Sequence, residues 1–436
     1  MNYLALPSTL TSGTVTVPGD KSVSHRALML GSIADGQTNV SSFLAGEDCL
    51  ATLRALRQMG VDIEEVDATT LRINGVGMNG LQPPQGDLDL GNSGTAMRLF
   101  SGLLAGQSFS TTLTGDESLS NRPMQRVIKP LTAMGAEIGS HDGLPPLQIA
   151  GGNALVGINY PLAVASAQVK SAILLAGLYA KGESFITEPG ITRDHTERML
   201  RSMGVILSSE NGRIRMPGKQ RLKAADVAVP ADLSSAAFLI VAALIADDCD
   251  LLIEGVGVNP TRNGVIQILR DMGAKIGLEN TRMLGEEPVA DLRVTSSKLK
   301  GIDVDAAMVP IAIDEFPILF IAAASAIGTT RFDGIGELRV KESDRIDAMA
   351  RGLKAIGISV DEEEDSAVVH GGKFSGGTVD SRGDHRIAMS FAVAATRADS
   401  AIHIKDVASV DTSFPGFMSC LSSLGVNITQ KPDLAD

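Results

Sequence analysis

The strongest constraint on how this chain can fold is a sixfold internal repeat. An apolar residue followed by Gly closes an amphipathic stretch six times, as Met59-Gly60, Met134-Gly135, Met203-Gly204, Met272-Gly273, Ile356-Gly357 and Leu424-Gly425, at spacings of 68 to 84 residues. Ahead of each Gly lies a helical pattern such as LATLRALRQMG, PMQRVIKPLTAMG or TERMLRSMG, apolar at i, i+3, i+4 and i+7. A Gly just past the last periodic residue is the expected helix stop, because Gly takes the left-handed conformation without strain. Short alternating runs come next (VDIEEV, AEIGS, VILSS, AKIGL, ISVDE, VNITQ), and they predict strands.

A second feature recurs in phase with the first. A polar turn leads from a strand into a small-residue helix at GDKSVSHRA, GNSGTAMRL, ASAQVKSA, ADLSSAAF, IDEFPIL and GDHRIAMS. One unit therefore reads strand–helix–strand–helix–strand, a layered α/β architecture. Such a unit is too long for a solenoid repeat, and the chain has no capping ends. The six copies are expected to cluster as three and three in two globular domains, with VAVPADLSS dividing the chain near residue 230.

Composition narrows the function classes. Aromatics are 3% with no Trp, and the net charge is −13. Stacked aromatic platforms and basic surfaces for nucleic acid are therefore not expected. The longest apolar runs, Ala236–Ala246 and Phe316–Ile327, fall short of the ~20 residues that span a bilayer. MNYLALPSTL carries no Lys or Arg ahead of its apolar residues, so no secretory signal is read there and a cytoplasmic location is expected. Cys49, Cys249 and Cys420 show no CxxC spacing, and the six histidines include no HExxH. No protein-bound metal or other cofactor is expected.

Two familiar motifs are false leads. Gly75-Val-Gly77-Met-Asn-Gly80 matches GxGxxG, but Pro83-Pro84 follow, where the dinucleotide fingerprint needs a helix. Lys21-Ser22 resembles the end of a P-loop, yet Asp20 and Val15 stand where that loop needs Gly.

The strand-to-helix turns carry the chemistry. They supply Lys21, Ser22, Arg26, Asn92, Ser93, Gly94, Thr95, Ser166, Gln168, Asp314, Glu315, Asp384, His385 and Arg386. Helix N-termini favour anions through unpaired N–H groups and the macrodipole, and cations placed there build sites for phosphate or carboxylate. Asn121-Arg122-Pro123 and Arg339-Val-Lys341-Glu342-Ser343-Asp344-Arg345 add more charge at starts of second helices. Any one of these residues alone reads as a cap or a solvated charge. Their recurrence in phase with the repeat does not.

Taken in order, PGDKSVSHRALML, LGNSGTAMRL, LSNRPMQRV, ASAQVKSAILLAGL, TRDHTERML, IDEFPIL, RVKESDR and GDHRIAMS resemble the 3-phosphoshikimate 1-carboxyvinyltransferase family. The resemblance runs from about Val17 to Gly425. The SAQVKSAILLAGL and TRDHTE stretches are similar to a subgroup with naturally glyphosate-tolerant members. The resemblance implies an inside-out α/β barrel-like fold of two domains, each of three βαβαββ-type repeats, at residues 18–229 and 1–17 plus 230–436, with the ligands between them. It implies a transferase that moves the enolpyruvyl group of phosphoenolpyruvate to the 5-hydroxyl of shikimate 3-phosphate, without cofactor, in a chain expected to be monomeric.

By the same resemblance, Lys21, Gly94, Arg122, Gln168, Arg345 and Arg386 hold phosphoenolpyruvate, with Gly94 lending a backbone N–H. Lys21, Ser22, Arg26, Ser166, Ala167, Gln168, Arg193, Asp314 and Lys341 meet shikimate 3-phosphate. Asp314 accepts the proton of the 5-hydroxyl, and Glu342 with Lys21 moves the proton at the methylene carbon. The sequence departs from other members in three places. Ala167 stands where others have a second Ser, so its backbone must serve; Thr412 stands for a Lys, with Lys405 as the one alternative; and Leu99 replaces a Pro. The sister carboxyvinyltransferases acting on UDP-N-acetylglucosamine carry Lys-Asn in the first turn and a reactive loop Cys, neither of which is present here. A non-catalytic anion-binding relative could have lost Asp314 or Glu342, and both are present.

Overall fold

All six glycines end helices in the computed structural model, which describes residues 1–432. Each takes a positive φ, from +83° at Gly60 to +99° at Gly135. Each also sits in the same pair of backbone bonds. At the first, Gly60 N–H donates to Arg57 O (3.0 Å) and Val61 N–H to Leu56 O (3.1 Å). The pattern recurs at Gly135, Gly204, Gly273, Gly357 and Gly425. Both bonds satisfy helix carbonyls that would otherwise lack partners.

The chain divides into two units. The inserted unit comprises Gly19–Pro230 and Met283–Glu287; the outer unit comprises Met1–Pro18, Ala231–Arg282 and Pro288–Asp436. Each holds three sheets. In the inserted unit, Leu88–Asp89 runs parallel to Thr111–Thr114, which is followed by antiparallel Leu144–Ile149 and Ile138–His141. Asn159–Pro161, Glu183–Thr187, Arg213–Pro217 and Ser208–Glu210 repeat that order. In the third sheet the first place goes to Val227–Ala228, from the far end of the insertion, beside Asp35–Ser41. The outer unit closes likewise, with Asn2–Ala5 filling the place between Ile402–Lys405 and Ile428–Lys431. Among the described residues, five of the six sheets thus have one strand more than the sequence alternation displays, and the sheet of Thr329–Asp333, Ser366–His370 and Val360–Glu362 has three.

Helices line the inside and sheets the outside. Lys21–Ile33, Gly94–Ala105 and Ala167–Gly177 form the buried centre of the inserted unit. Leu233–Ile245, Phe316–Ala324 and His385–Ala394 do so in the outer unit. These helices are rich in Ala, Gly and Ser because they pack against one another; a Cβ on Gly102 would run into the Ala172 backbone. The amphipathic helices that precede the glycines, such as Glu47–Gln58 and Arg345–Ala355, keep one polar face outward.

Two expectations need correction. No strand leads into the IDEFPIL turn: Asp314 sits in a 3₁₀ turn, Ile313–Glu315, between the helices Val309–Ala312 and Phe316–Ala324. The strand place there shrinks to two isolated bridges, Lys300 with Ile327 and Asp303 with Arg331, because Pro310 and the following helical turns take up the connection. The apolar stretch is also longer than its run of letters. Ala306–Ala324, 19 residues, is the one helix among the described residues long and apolar enough to cross a membrane. Most of it is packed inside the outer unit. The GxGxxG glycines lie in the strand Leu71–Val76 and the turn after it, with no helix opening there.

Gly204 isolates the conformational term, since its φ is +86° and a Cβ there would meet nothing within 4 Å. Gly204→Ala is expected to cost about 1–2 kcal/mol through the left-handed backbone alone. Thermal unfolding should show the midpoint of the inserted unit lowered by a few degrees; an unchanged midpoint would contradict the capping role.

Candidate active site

The inserted unit gathers its polar residues at three helix starts. Asp20 caps Lys21–Ile33 by accepting from Val23 N–H (2.8 Å). Lys21 is the first residue of that helix, and its Nζ donates to Asp48 Oδ2 at 3.0 Å. One turn on, Arg26 is 4% exposed and uses all three guanidinium nitrogens: Nη1 to Ser22 O (2.8 Å), Nε to Thr196 Oγ1 (2.6 Å) and Nη2 to Ser171 Oγ (2.8 Å). Burial lowers its pKa to about 10, against the pull of Glu197 and Asp20. It remains a cation at neutral pH.

Gly94 opens the second helix under the cap of Ser93. Its missing side chain leaves room for two cations, because a Cβ would lie 2.9 Å from Arg98 Nη1 and 3.3 Å from Arg122 Nη1. Asn92 holds Arg122 through its side-chain and backbone oxygens (2.5 and 3.3 Å). Arg98 donates to Gln168 Oε1 (2.7 Å), and Gln168 donates to Thr95 Oγ1 (2.9 Å). The Gly94 N–H is engaged with Asn92 O at 3.0 Å, so the backbone donation expected of it has to compete with that bond. Ser166 caps the third helix, Ala167–Gly177, and accepts from Val169 N–H. Arg193 lies in the connection between Glu183–Thr187 and the helix His195–Ser202.

His25, buried behind Lys21, joins two of these starts. Its Nδ1 lies 2.8 Å from Thr52 Oγ1 and its Nε2 3.5 Å from Ser93 Oγ. Burial lowers its pKa to about 3, with Lys21 and Arg26 adding to the effect and Asp48 opposing it. A neutral ring spaces the cations without adding to their repulsion.

The outer unit builds its cluster around a buried guanidinium. Arg345, 1% exposed, pairs through Nε with Asp384 Oδ2 (2.8 Å) and through Nη2 with Glu342 Oε2 (2.5 Å). Its Nη1 makes no hydrogen bond and lies 3.8 Å from Asp314 Oδ1. Burial opposes the charge on Arg345, but Asp384 and Glu342 outweigh it and hold the pKa above the usual arginine range. Asp384 also caps His385–Ala394 by accepting from Arg386 N–H (2.9 Å). Arg386 Nη1 donates to the Asp314 carbonyl (2.9 Å), and its Nη2 to Ser234 Oγ (3.2 Å). Behind them, Glu315 Oε2 meets Arg262 Nη1 at 2.7 Å, with Ser234 bonded to both residues. Burial lowers the Lys341 pKa against the attraction of Asp314 and Glu337.

The structure thus brings Gly94 to Arg122, and Arg345 to Glu342, Asp314 and Lys341. Ala167 contributes its carbonyl to Ser171 Oγ (2.7 Å). Thr412 bonds the Ser409 carbonyl, and exposed Lys405 lies on the strand Ile402–Lys405. Sequence reasoning missed Asp48, Arg98, Lys170, Thr196 and Arg262. Arg98 and Lys170 had a local signal, each four residues after a helix-start residue, Gly94 and Ser166, on one helix face.

The family model for EPSP synthase (3-phosphoshikimate 1-carboxyvinyltransferase) matches residues 7–421. Proteins named 3-phosphoshikimate 1-carboxyvinyltransferase from Alkalilimnicola ehrlichii and Methylococcus capsulatus are each 56% identical, the first over 99% of this chain and 97% of its own length, the second over 98% of both. The solved EPSP synthase of Acinetobacter baumannii superposes with a TM-score of 0.90 at 50% identity, over 99% of this chain and 100% of that one. On this full-length similarity, joined to the repeat and the clusters above, the chain belongs to the EPSP synthase family.

Proposed function

We propose that this chain transfers the enolpyruvyl group of phosphoenolpyruvate to the 5-hydroxyl of shikimate 3-phosphate, releasing phosphate, and that the two clusters serve this one reaction. The observation that carries the reading is the outer cluster. A buried guanidinium whose Nη1 makes no hydrogen bond stands beside the carboxylates of Asp314 and Glu342, with Asp384 behind it. Both substrates are multiply anionic, and fixed guanidinium forks suit phosphate and carboxylate. Arg122, Arg345 and Arg386, with Lys21 and Gln168, bind phosphoenolpyruvate, and Gly94 provides the close approach. Ser22, Arg26, Ser166, Gln168, Arg193 and Lys341 bind shikimate 3-phosphate, with the Ala167 backbone in place of a second hydroxyl. The reading also has the chain act as a monomer in the cytoplasm.

Asp314 takes the proton of the 5-hydroxyl as its oxygen attacks C2 of phosphoenolpyruvate. Glu342, with Lys21, delivers a proton to the methylene carbon, which becomes a methyl group. The resulting tetrahedral intermediate loses one methyl proton back to the carboxylate and expels phosphate, and a vinyl ether remains. Arginines fixed in advance favour the charge that develops on the leaving phosphate. Transfer to UDP-N-acetylglucosamine is disfavoured, because relatives at 51–56% identity carry the shikimate name. Cys49 and Cys249 are also buried, unlike a reactive loop thiol. Phosphate release measured with each acceptor separates the two readings: release is expected with shikimate 3-phosphate, and release only with the nucleotide sugar would overturn the proposal.

Asp314→Asn keeps the shape and removes the base. Turnover is expected to fall by about 10²–10⁴, while calorimetry still detects shikimate 3-phosphate binding. Turnover within severalfold of wild type would make Asp314 a structural residue. Because the cations already neutralise both substrates, turnover is expected to be unchanged in a chelator; loss restored by Mg²⁺ would contradict this.

Gly94 sets the response to glyphosate, which is longer than phosphoenolpyruvate. Wild type is expected to be sensitive, despite its resemblance to the tolerant subgroup. In Gly94→Ala the added methyl presses on Arg98 and Arg122 and should raise the inhibition constant by about tenfold, roughly 1.4 kcal/mol, with a smaller change in KM for phosphoenolpyruvate. Inhibition curves against phosphoenolpyruvate decide it, and a tolerant wild type would sink the argument.

A further inference from the structure

Lys170 is an unusual residue for the buried first turn of a central helix, Ala167–Gly177. It lies one turn after Ser166 and is 1% exposed. Its ammonium meets Glu197 Oε1 at 2.8 Å, Glu188 Oε2 at 3.1 Å and the Thr192 carbonyl at 3.4 Å. Glu188 also accepts from the Thr192 hydroxyl. One cation therefore answers two buried carboxylates: burial raises the Glu188 pKa in spite of Lys170, and Glu197 Oε2 has no hydrogen-bond partner. An apolar side chain would fill this place at lower desolvation cost, so packing alone does not account for a lysine.

The three groups that Lys170 grips belong to three successive pieces of chain. Glu188 follows the strand Glu183–Thr187, Thr192 precedes Arg193, and Glu197 lies on His195–Ser202. Thr196, next to Glu197, accepts from Arg26 Nε; Ser171, next to Lys170, accepts from Arg26 Nη2 and lies 2.7 Å from Thr196 Oγ1. We propose that Lys170 is a positioning residue for shikimate 3-phosphate: it fixes Arg193 through Thr192 and Arg26 through Thr196, relative to the helix start at Ser166. This rests on the substrate assignment above. Lys170 touches no substrate and acts only through these neighbours.

The test uses the full-length enzyme. Lys170→Met alone strands two buried carboxylates and can fail to fold, so the charge-matched pair Lys170→Met/Glu197→Gln carries the measurement, with Thr192→Val as a variant that buries no new charge. In the pair, KM for shikimate 3-phosphate is expected to rise about tenfold, the worth of a hydrogen bond to a charged group. KM for phosphoenolpyruvate should stay within about twofold, and Thr192→Val should shift the same constant by a few-fold. A purely structural lysine would move both constants together, or neither once charge is balanced, and either result overturns the proposal. If the pair does not fold, Lys170→Arg, which keeps the charge and displaces the donors, decides by the same split of the two constants, with Thr192→Val testing the Glu188 end of the grip. Wild-type turnover is measured first. Its absence would sink the substrate assignment and this proposal with it, whereas unchanged constants in the variants of an active enzyme sink this proposal only.

Discussion

A guanidinium taken out of water needs its charge answered, and Arg345 has it answered by the carboxylates Asp384, Glu342 and Asp314 inside the outer unit. Removing one partner of such a buried pair costs about 3–5 kcal/mol, because the other charge is left behind. The arrangement around it follows from that requirement. Asp384 answers Arg345 and also caps His385–Ala394, which sets where Arg386 begins. Arg386 then takes the Asp314 carbonyl, which ties the 3₁₀ turn to the neighbouring helix start. A carboxylate that serves a cation and a helix N-terminus at once links charge placement to backbone placement.

The inserted unit meets the same requirement with softer partners. Arg26 is buried among Ser22 O, Ser171 and Thr196, and no carboxylate contacts it directly. Its charge is balanced at longer range by Glu197 and Asp20. A binding cation that is not already paired with a carboxylate keeps more of its field for a ligand. The neutral His25 extends that economy, since a charged ring between Lys21 and Arg26 would have raised the repulsion inside one helix turn.

Much of this was legible in the letters, for a physical reason. A Schellman stop needs a left-handed residue, so Gly60 and its five counterparts mark helix ends without any tertiary information. The turns at Lys21, Gly94, Ser166 and Arg386 were legible because caps and cations at helix starts are local features. Tertiary pairings were not. Lys170 reads as one more polar letter in an apolar helix until Glu188 and Glu197 arrive from later elements, and Asp48 meets Lys21 across 27 residues. The Asp314 segment misled because a Pro-containing helical stretch replaced the strand that the other repeats have. The fourth strand of a sheet escaped where sheets complete themselves with chain from distant positions, as Val227–Ala228, Asn2–Ala5 and Gly13–Val15 do.

The central claim is that carboxylates held beside buried cations move a proton onto carbon and off again. Running the reaction in heavy water tests that step most directly. If Glu342 and Lys21 protonate the methylene carbon, deuterium must pass through a transient methyl group. The account then requires the vinyl methylene of the product, analysed by mass spectrometry after partial turnover, to carry solvent deuterium. A product formed at full rate with no deuterium on that carbon would mean transfer without an addition–elimination sequence, and would contradict it.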